Sequence, residues 1–453
     1  AFANDHTLVL PSIISDHAVF QRNAECKLWG WYPGDRTLKI VPSWSQSDTI
    51  KVRADKSCAW SVKVSTPEDK GPHRLLFYDE YDTLLNQVDD VLMGETWLCS
   101  GQSNMEYKME FPILDAPALS LEVDVPDLRF FKVNKVPSNH PVERIGGEWV
   151  ICSPETYKDF SAVAFFFGQC LFQKLDSPIG LIGSYWGGSS IEPWIDVETY
   201  KVNTKAFELS KKNQLIDWSP TANAVINNGM ISPITNYRLA GVIWYQGEAN
   251  VMRPNDYGVM LEAMVEGWRR QFEHDLPFYY VQIAPWSGYS AKNAALLREQ
   301  QYLVSKSLKN GGMINISDLV NDIDDIHPGI KKQVGLRLAN LALLQTYDQK
   351  EVSPLFPEMK TVELKGNKAL VEIDVEGELV FPDKESVKFE VVDHQGKIYP
   401  AIGKLQRKKN IIEVSAKGVS QVCAVRYCFT NDAIPDVFGA NGLPLLPFRT
   451  DKN

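Results

Sequence analysis

Four short runs of apolar residues constrain this chain more than any other feature: 179–182, 241–245, 278–283 and 313–316. A strand with one solvated face alternates polar and apolar side chains. A run without alternation reads instead as a strand covered on both faces, as in a parallel sheet. Helical patterns lie between the runs. Tyr257, Met260, Leu261, Met264, Trp268 and Phe272 recur at helical spacing, and so do Val334, Leu338 and Leu341. Strands alternating with helices predict an α/β three-layer domain with a central parallel sheet. Ligands of such sheets bind beyond the carboxyl ends of the strands. The loops that follow the apolar runs are therefore where chemistry is expected.

The flanks read differently. Over residues 1–90, Trp29-Gly30-Trp31 runs into the turn Pro33-Gly34-Asp35, and residues 38–41, 50–52 and 60–64 have β character with partial alternation. This pattern predicts a small β-sandwich-like domain. After about residue 349, short strand candidates return at 362–364, 369–373, 387–392, 411–414 and 423–429, with turn signals at Gly366-Asn367 and Gln395-Gly396. A chain of 453 residues is too long for one ordinary core. The expected division is a β-rich module at 1–90, the α/β domain at 91–348 and a second β-rich module at 349–453.

Bulk properties narrow the function. The formal net charge of -10 is opposite to the basic footprint of a nucleic-acid binder. No stretch approaches the roughly 20 apolar residues of a membrane-spanning helix; the richest, 162–167, is short. The seven cysteines are odd in number and show no Cys-x-x-Cys spacing, so neither a zinc site nor a disulfide scaffold is expected. Cys99 and Cys170 read as small buried apolar residues. The opening Ala1-Phe2-Ala3-Asn4 has no initiator methionine and no signal peptide, which suits a processed or trimmed start.

Residues 98–109 read LCSGQSNMEYKM. A β-prone stretch ends in a Gly-containing turn with Ser103 at its tip, the way many hydrolases present a nucleophile to surrounding backbone N–H groups. The bland alternative is a turn serine that bonds its own backbone. What decides between them is the presence of partners. His327 follows the apolar run at 313–316 and precedes Pro328, which suits the first turn of a helix from about residue 329. Asp324 and Asp325 are near enough to orient its ring, or alternatively to cap that helix. Gly187 and Gly188 follow the run at 179–182 and can offer a backbone N–H to an oxyanion, though a tight turn needs glycines too. Gln246 follows the run at 241–245, and its amide is an uncharged donor. Glu248 beside it either acts in the site or anchors the loop. Trp186, Trp194 and Tyr245 can stack on a sugar face or fill the core.

Taken together, Gly101-Gln102-Ser103-Asn104-Met105, the segment from Trp186 to Trp194, Trp244-Tyr245-Gln246-Gly247-Glu248 and Asp325-Ile326-His327-Pro328 resemble the sialate O-acetylesterases, members of the SGNH (GDSL-like) hydrolase class. The resemblance extends over nearly the whole chain, from Ser15-Asp16-His17 to Pro447-Phe448-Arg449-Thr450. It implies an SGNH-type fold with Ser103 as nucleophile and His327 as general base. The oxyanion hole would combine the Ser103 N–H, a glycine N–H from Gly187 or Gly188, and Gln246. The supporting carboxylate would be Asp324 by the general SGNH spacing, or Asp325 by the family's Asp-Ile-His-Pro run, unless Ser103 and His327 act as a dyad. Asn104, Trp186, Glu248 and Arg253 would touch substrate, with Arg253 or Arg298 facing the carboxylate of a sialic acid. The resemblance implies no metal or organic cofactor, an O-acetylated sugar as partner, and a periplasmic or secreted location. Two other functions fit the same residues less fully. One is an acetylesterase for plant polysaccharide such as xylan, and the other is a non-catalytic carbohydrate-binding protein.

Overall fold

The computed structural model describes residues 7–45, 49–116, 123–350, 353–381, 384–406 and 409–451; the opening Ala1-Phe2-Ala3-Asn4 lies outside the described residues. The chain forms two compact units, one of Ala1–Trp244 with Glu262–Phe278, the other of Tyr245–Leu261 with Tyr279–Asn453.

The long strand Leu84–Gly101 organises the first unit. Its opening half pairs antiparallel with His73–Tyr78. Leu92, Met93 and Gly94 then pair parallel with Val19–Gln21. From Glu95 to Gly101 it pairs parallel with Ile179–Tyr185, which on its other edge pairs parallel with Val125–Lys132. The expected parallel sheet is thus present at its centre. Its edge departs from that expectation, because Trp149–Cys152 pairs antiparallel with Val125–Lys132. The link 133–148 carries no helix to cross over the sheet, and a chain that returns directly comes back antiparallel.

The first half of Leu84–Gly101 is half-exposed, whereas every residue from Val91 onward is buried. Both faces of that second half are covered, which is why its sequence stops alternating. The helix Ala162–Leu175 provides part of the cover. It starts at Ser161, whose Oγ accepts the Ala164 N–H at 3.1 Å, and it packs on Ile179–Tyr185 and Val125–Lys132. Nearer the N-terminus, Glu25–Trp31 pairs antiparallel with Ala59–Ser65, and Thr37–Pro42 lies between Ile50–Arg53 and His73–Tyr78. The β character expected there is realised.

In the second unit the run at 313–316 forms the strand Gly311–Ile314, and the Gln282 N–H donates to the Ile314 carbonyl at 2.9 Å. The helical spacings are realised as Tyr257–Gln271, whose residues from Glu262 onward belong to the first unit, and as Lys332–Gln345. A seven-stranded antiparallel sheet follows, in the order Glu358–Lys365, Lys368–Asp374, Ile411–Ser415, Ile398–Gln406, Ser386–Val392, Ala424–Tyr427, Phe448–Arg449. Val371, Phe389, Val391, Ile412, Val414 and Tyr427 fill its core. Among the described residues no helix is long and apolar enough to cross a membrane. All seven cysteines are free thiols, with Cys99 and Cys170 buried.

Candidate active site

Ser103 stands where the buried strand Leu84–Gly101 ends. Gln102 keeps an extended backbone, and Ser103 begins a single helical turn, Ser103–Glu106, in which the Met105 and Glu106 N–H groups donate to the Gln102 carbonyl at 2.9 Å. Asn104 and Met105 are wholly buried, and Ser103 is half-buried.

The turn after Ile179–Tyr185 lies against this helical turn. Trp186 N–H donates to the Gly101 carbonyl at 3.0 Å. A Cβ placed on Gly187 would sit 3.5 Å from the Ser103 Cβ, so the Gly187 backbone borders the serine directly. The Gly187 N–H is taken by Glu106 Oε2 at 2.7 Å. The Gly188 N–H has no protein acceptor among the described residues. Gly188 has φ of 74°, a left-handed conformation that favours glycine. Glu106 is also paired with Lys135, whose Nζ lies 5.5 Å from the centre of the Trp186 ring. Within this unit the structure therefore gathers Ser103, Asn104, Trp186, Gly187 and Gly188. Glu106 and Lys135 join them without having been singled out from sequence.

Gln246 lies in the second unit, just past the strand Gly241–Tyr245. Its amide is oriented from both sides. Nε2 donates to Asn250 Oδ1 at 2.8 Å, and Oε1 accepts the Tyr257 hydroxyl at 2.9 Å. Glu248 is buried at the start of the short helical turn Glu248–Asn250, and the Arg253 N–H closes the next turn on the Asn250 carbonyl at 2.9 Å. Trp194 and Tyr245 are wholly buried, so they serve the core and not a sugar face.

The loop carrying His327 is irregular, and the helix after it begins at Lys332, later than Pro328 suggested. Side-chain caps shape this loop. Asp325 Oδ1 accepts the His327 backbone N–H at 2.8 Å, and Asn321 Oδ1 accepts the Gly329 N–H at 3.2 Å. Local bonds of this kind satisfy the backbone without a helix. Asp325 thus caps the histidine's own backbone rather than the following helix. Asp324 is tied to the Ser287 hydroxyl through Oδ1, while its carbonyl accepts from Trp286 Nε1 at 3.0 Å.

Burial pushes the His327 pKa below its ordinary 6.5; the Lys331 ammonium pushes the same way, and Asp325 opposes both. Lys331 is itself buried, with Nζ 5.4 Å from the centre of the Tyr245 ring. A lysine four residues after a histidine carries no signal in sequence, since lysines are normally solvated. It is the burial that makes it matter.

Comparison with known proteins identifies the family. The family model for carbohydrate esterases described as sialic acid-specific acetylesterase matches residues 93–344. The sialate O-acetylesterase of Rattus norvegicus is 28% identical, over 92% of this chain and 89% of the rat protein. The sialate O-acetylesterase of Homo sapiens is 27% identical, over 96% and 91%. A carbohydrate acetylesterase from Xanthomonas citri has a crystal structure that superposes with a TM-score of 0.88 at 32% identity, covering 98% of this chain and 100% of that one. The protein is a carboxylic ester hydrolase and a carbohydrate O-acetylesterase, which sets aside a purely sugar-binding role. It belongs to the carbohydrate esterase family of sialic acid-specific acetylesterases.

Proposed function

We propose that the protein removes O-acetyl groups from sialic acids by a serine mechanism. His327 takes the proton of the Ser103 hydroxyl, and Ser103 Oγ attacks the acetyl carbonyl. The oxyanion is held by the Ser103 N–H, the Gly188 N–H and the Gln246 amide. The sugar oxygen leaves with the proton carried by His327. Water, deprotonated by the same histidine, then releases acetate and restores the serine. Asp325 is the carboxylate we assign to His327, because its charge acts on that ring while Asp324 is engaged by Ser287.

The observation that carries this reading is the setting of Ser103. It stands at the end of a buried strand, with the Gly187 backbone against it and, next along the chain, a Gly188 N–H that no acceptor among the described residues takes. Substrate contacts are assigned to Trp186, Glu248 and Arg253; Asn104, expected from sequence to touch substrate, is wholly buried beside Ser103 and is assigned to supporting its turn. The sialate assignment draws on the family and on the names of the rat and human relatives. We assign the enzyme to the periplasm or the outside of the cell on the same family argument, which fractionation of expressing cells checks.

The decisive experiment is Ser103→Ala, assayed by acetate release from O-acetylated sialic acids and from acetylated xylan side by side. Loss of release with an unchanged circular dichroism spectrum is expected, and retained turnover overturns the nucleophile. Faster release from xylan in the wild type would reassign the substrate to plant polysaccharide without touching the mechanism.

A further inference from the structure

Trp218 is a large aromatic side chain that the first unit leaves in solvent. It is 72% exposed, and Leu215 in the same loop is 77% exposed. Yet the ring is not adrift. A Cβ on Gly188 would fall 2.1 Å from Trp218 Cζ3 and 2.6 Å from Cη2, so the edge of the indole rests on the Gly188 backbone. Gly188 follows the residue that borders Ser103. The indole therefore stands beside the proposed oxyanion turn, in the same unit as the serine.

The loop beneath the ring is built to hold it there. Asn213 Nδ2 donates to Ser190 Oγ at 3.0 Å and to the Thr221 carbonyl at 2.9 Å, which ties both ends of the loop to the glycine turn. Ile216 N–H donates to Thr221 Oγ1 at 3.2 Å, and an isolated antiparallel bridge joins Ile216 to Ser219. On the other side of that turn, Ser189 Oγ donates to the Trp186 carbonyl at 2.7 Å and accepts from Trp194 Nε1 at 3.0 Å. An exposed indole fixed by its loop loses little conformational freedom when something covers it, so pre-organisation favours binding. What covers it must present a face of weakly positive C–H groups, because the indole face carries the negative lobe of the ring quadrupole. The axial C–H face of a pyranose has that chemistry.

We propose that Trp218 is the platform on which the sugar ring bearing the ester stacks. The proposal rests on Ser103 being the nucleophile. It makes Trp218 a determinant of specificity: acetyl groups on a pyranose are favoured over the same group on a small alkyl alcohol. Neither the hydroxyl nor the oxyanion donors change, so the effect falls on KM more than on kcat.

The test compares Trp218→Ala, Trp218→Phe and wild type on O-acetylated sialic acid, acetylated xylo-oligosaccharide and ethyl acetate, which has no ring. Trp218→Ala is expected to raise KM for the sugar that the wild type turns over by about tenfold more than for ethyl acetate. Trp218→Phe should recover most of that difference, since a smaller ring still presents a face. Equal losses on sugar and ethyl acetate would overturn the platform, because they would mark Trp218 as mere support for Gly188. A wild type that hydrolyses ethyl acetate but no acetylated pyranose overturns it as well. Failure of the underlying reading is distinct: it appears as activity surviving in Ser103→Ala, whatever Trp218 does.

Discussion

The protonation state of His327 follows from what surrounds it. Burial and the Lys331 ammonium hold its pKa below 6.5, and Asp325 only partly offsets them. A base with a lowered pKa stays neutral, and so competent, further into acid. The acid limb of kcat/KM should therefore have its midpoint below pH 6.5. Lys331→Met removes a cation that disfavours imidazolium, so the midpoint moves up. Asp325→Asn removes an anion that favours imidazolium, so it moves down. Profiles of kcat/KM from about pH 4.5 to 8 read these shifts directly. Midpoints that fail to move in opposite directions would sink the assignment of these two neighbours. At this scale the sequence singled out Ser103, Gly187, Gly188, Gln246 and His327 as polar or small residues in loops after apolar runs, and each lies in such a loop. Glu106, Lys135, Lys331 and Trp218 were not legible. A charged side chain or a lone aromatic in a polar stretch is ordinary in sequence, and only burial, pairing or exposure in the fold gives it a role.

At the scale of the element, the strand Leu84–Gly101 shows what a sequence pattern measures. The change near residue 91 reads as a boundary between modules, and the strand runs through it without a break. What changes there is the cover, from a half-exposed face to burial on both sides, and hydrophobic patterning reports cover rather than connectivity. The crossing is tight. A Cβ on Gly94 would lie 2.0 Å from the Pro178 carbonyl oxygen and 2.6 Å from its carbon. That carbonyl is held in place by the Glu95 N–H at 2.9 Å, so it has little room to retreat. Gly94→Ala therefore overpacks a backbone contact in the strand that carries Ser103. Such insertions cost about 1–3 kcal/mol, and in a chain of 453 residues each kcal/mol is worth about 1 °C in melting temperature. Calorimetry should show a melting temperature lowered by about 1–3 °C. An unchanged value would mean that the segment at Pro178 yields freely. The apolar run at 179–182, by contrast, foretold its strand directly, because burial on both faces leaves few polar residues to confuse it.

For the molecule as a whole, the α/β and β-rich regions were legible from the alternation of strand and helix patterns. The antiparallel edge at Trp149–Cys152 was not, because strand direction depends on the path of the connection and leaves no mark on the strand itself. Charge is the one global property that sequence supplies outright, and it bears on the substrate. A net charge of -10 sets up a repulsive field toward an anionic sugar such as a sialic acid. A neutral acetylated oligosaccharide feels no such field. Salt screens these interactions over a Debye length of about 30 Å at 0.01 M and about 8 Å at 0.15 M. If the enzyme works on sialic acids, kcat/KM for an O-acetylated sialic acid should rise as ionic strength increases across that range, while kcat/KM for acetylated xylo-oligosaccharide stays level. A fall with salt for the sialic acid would instead mean that local cations, such as Arg253 among the proposed contacts and Lys135 beside Trp186, outweigh the global field. The sign of the slope thus separates a site that attracts its anionic substrate from one that merely admits it.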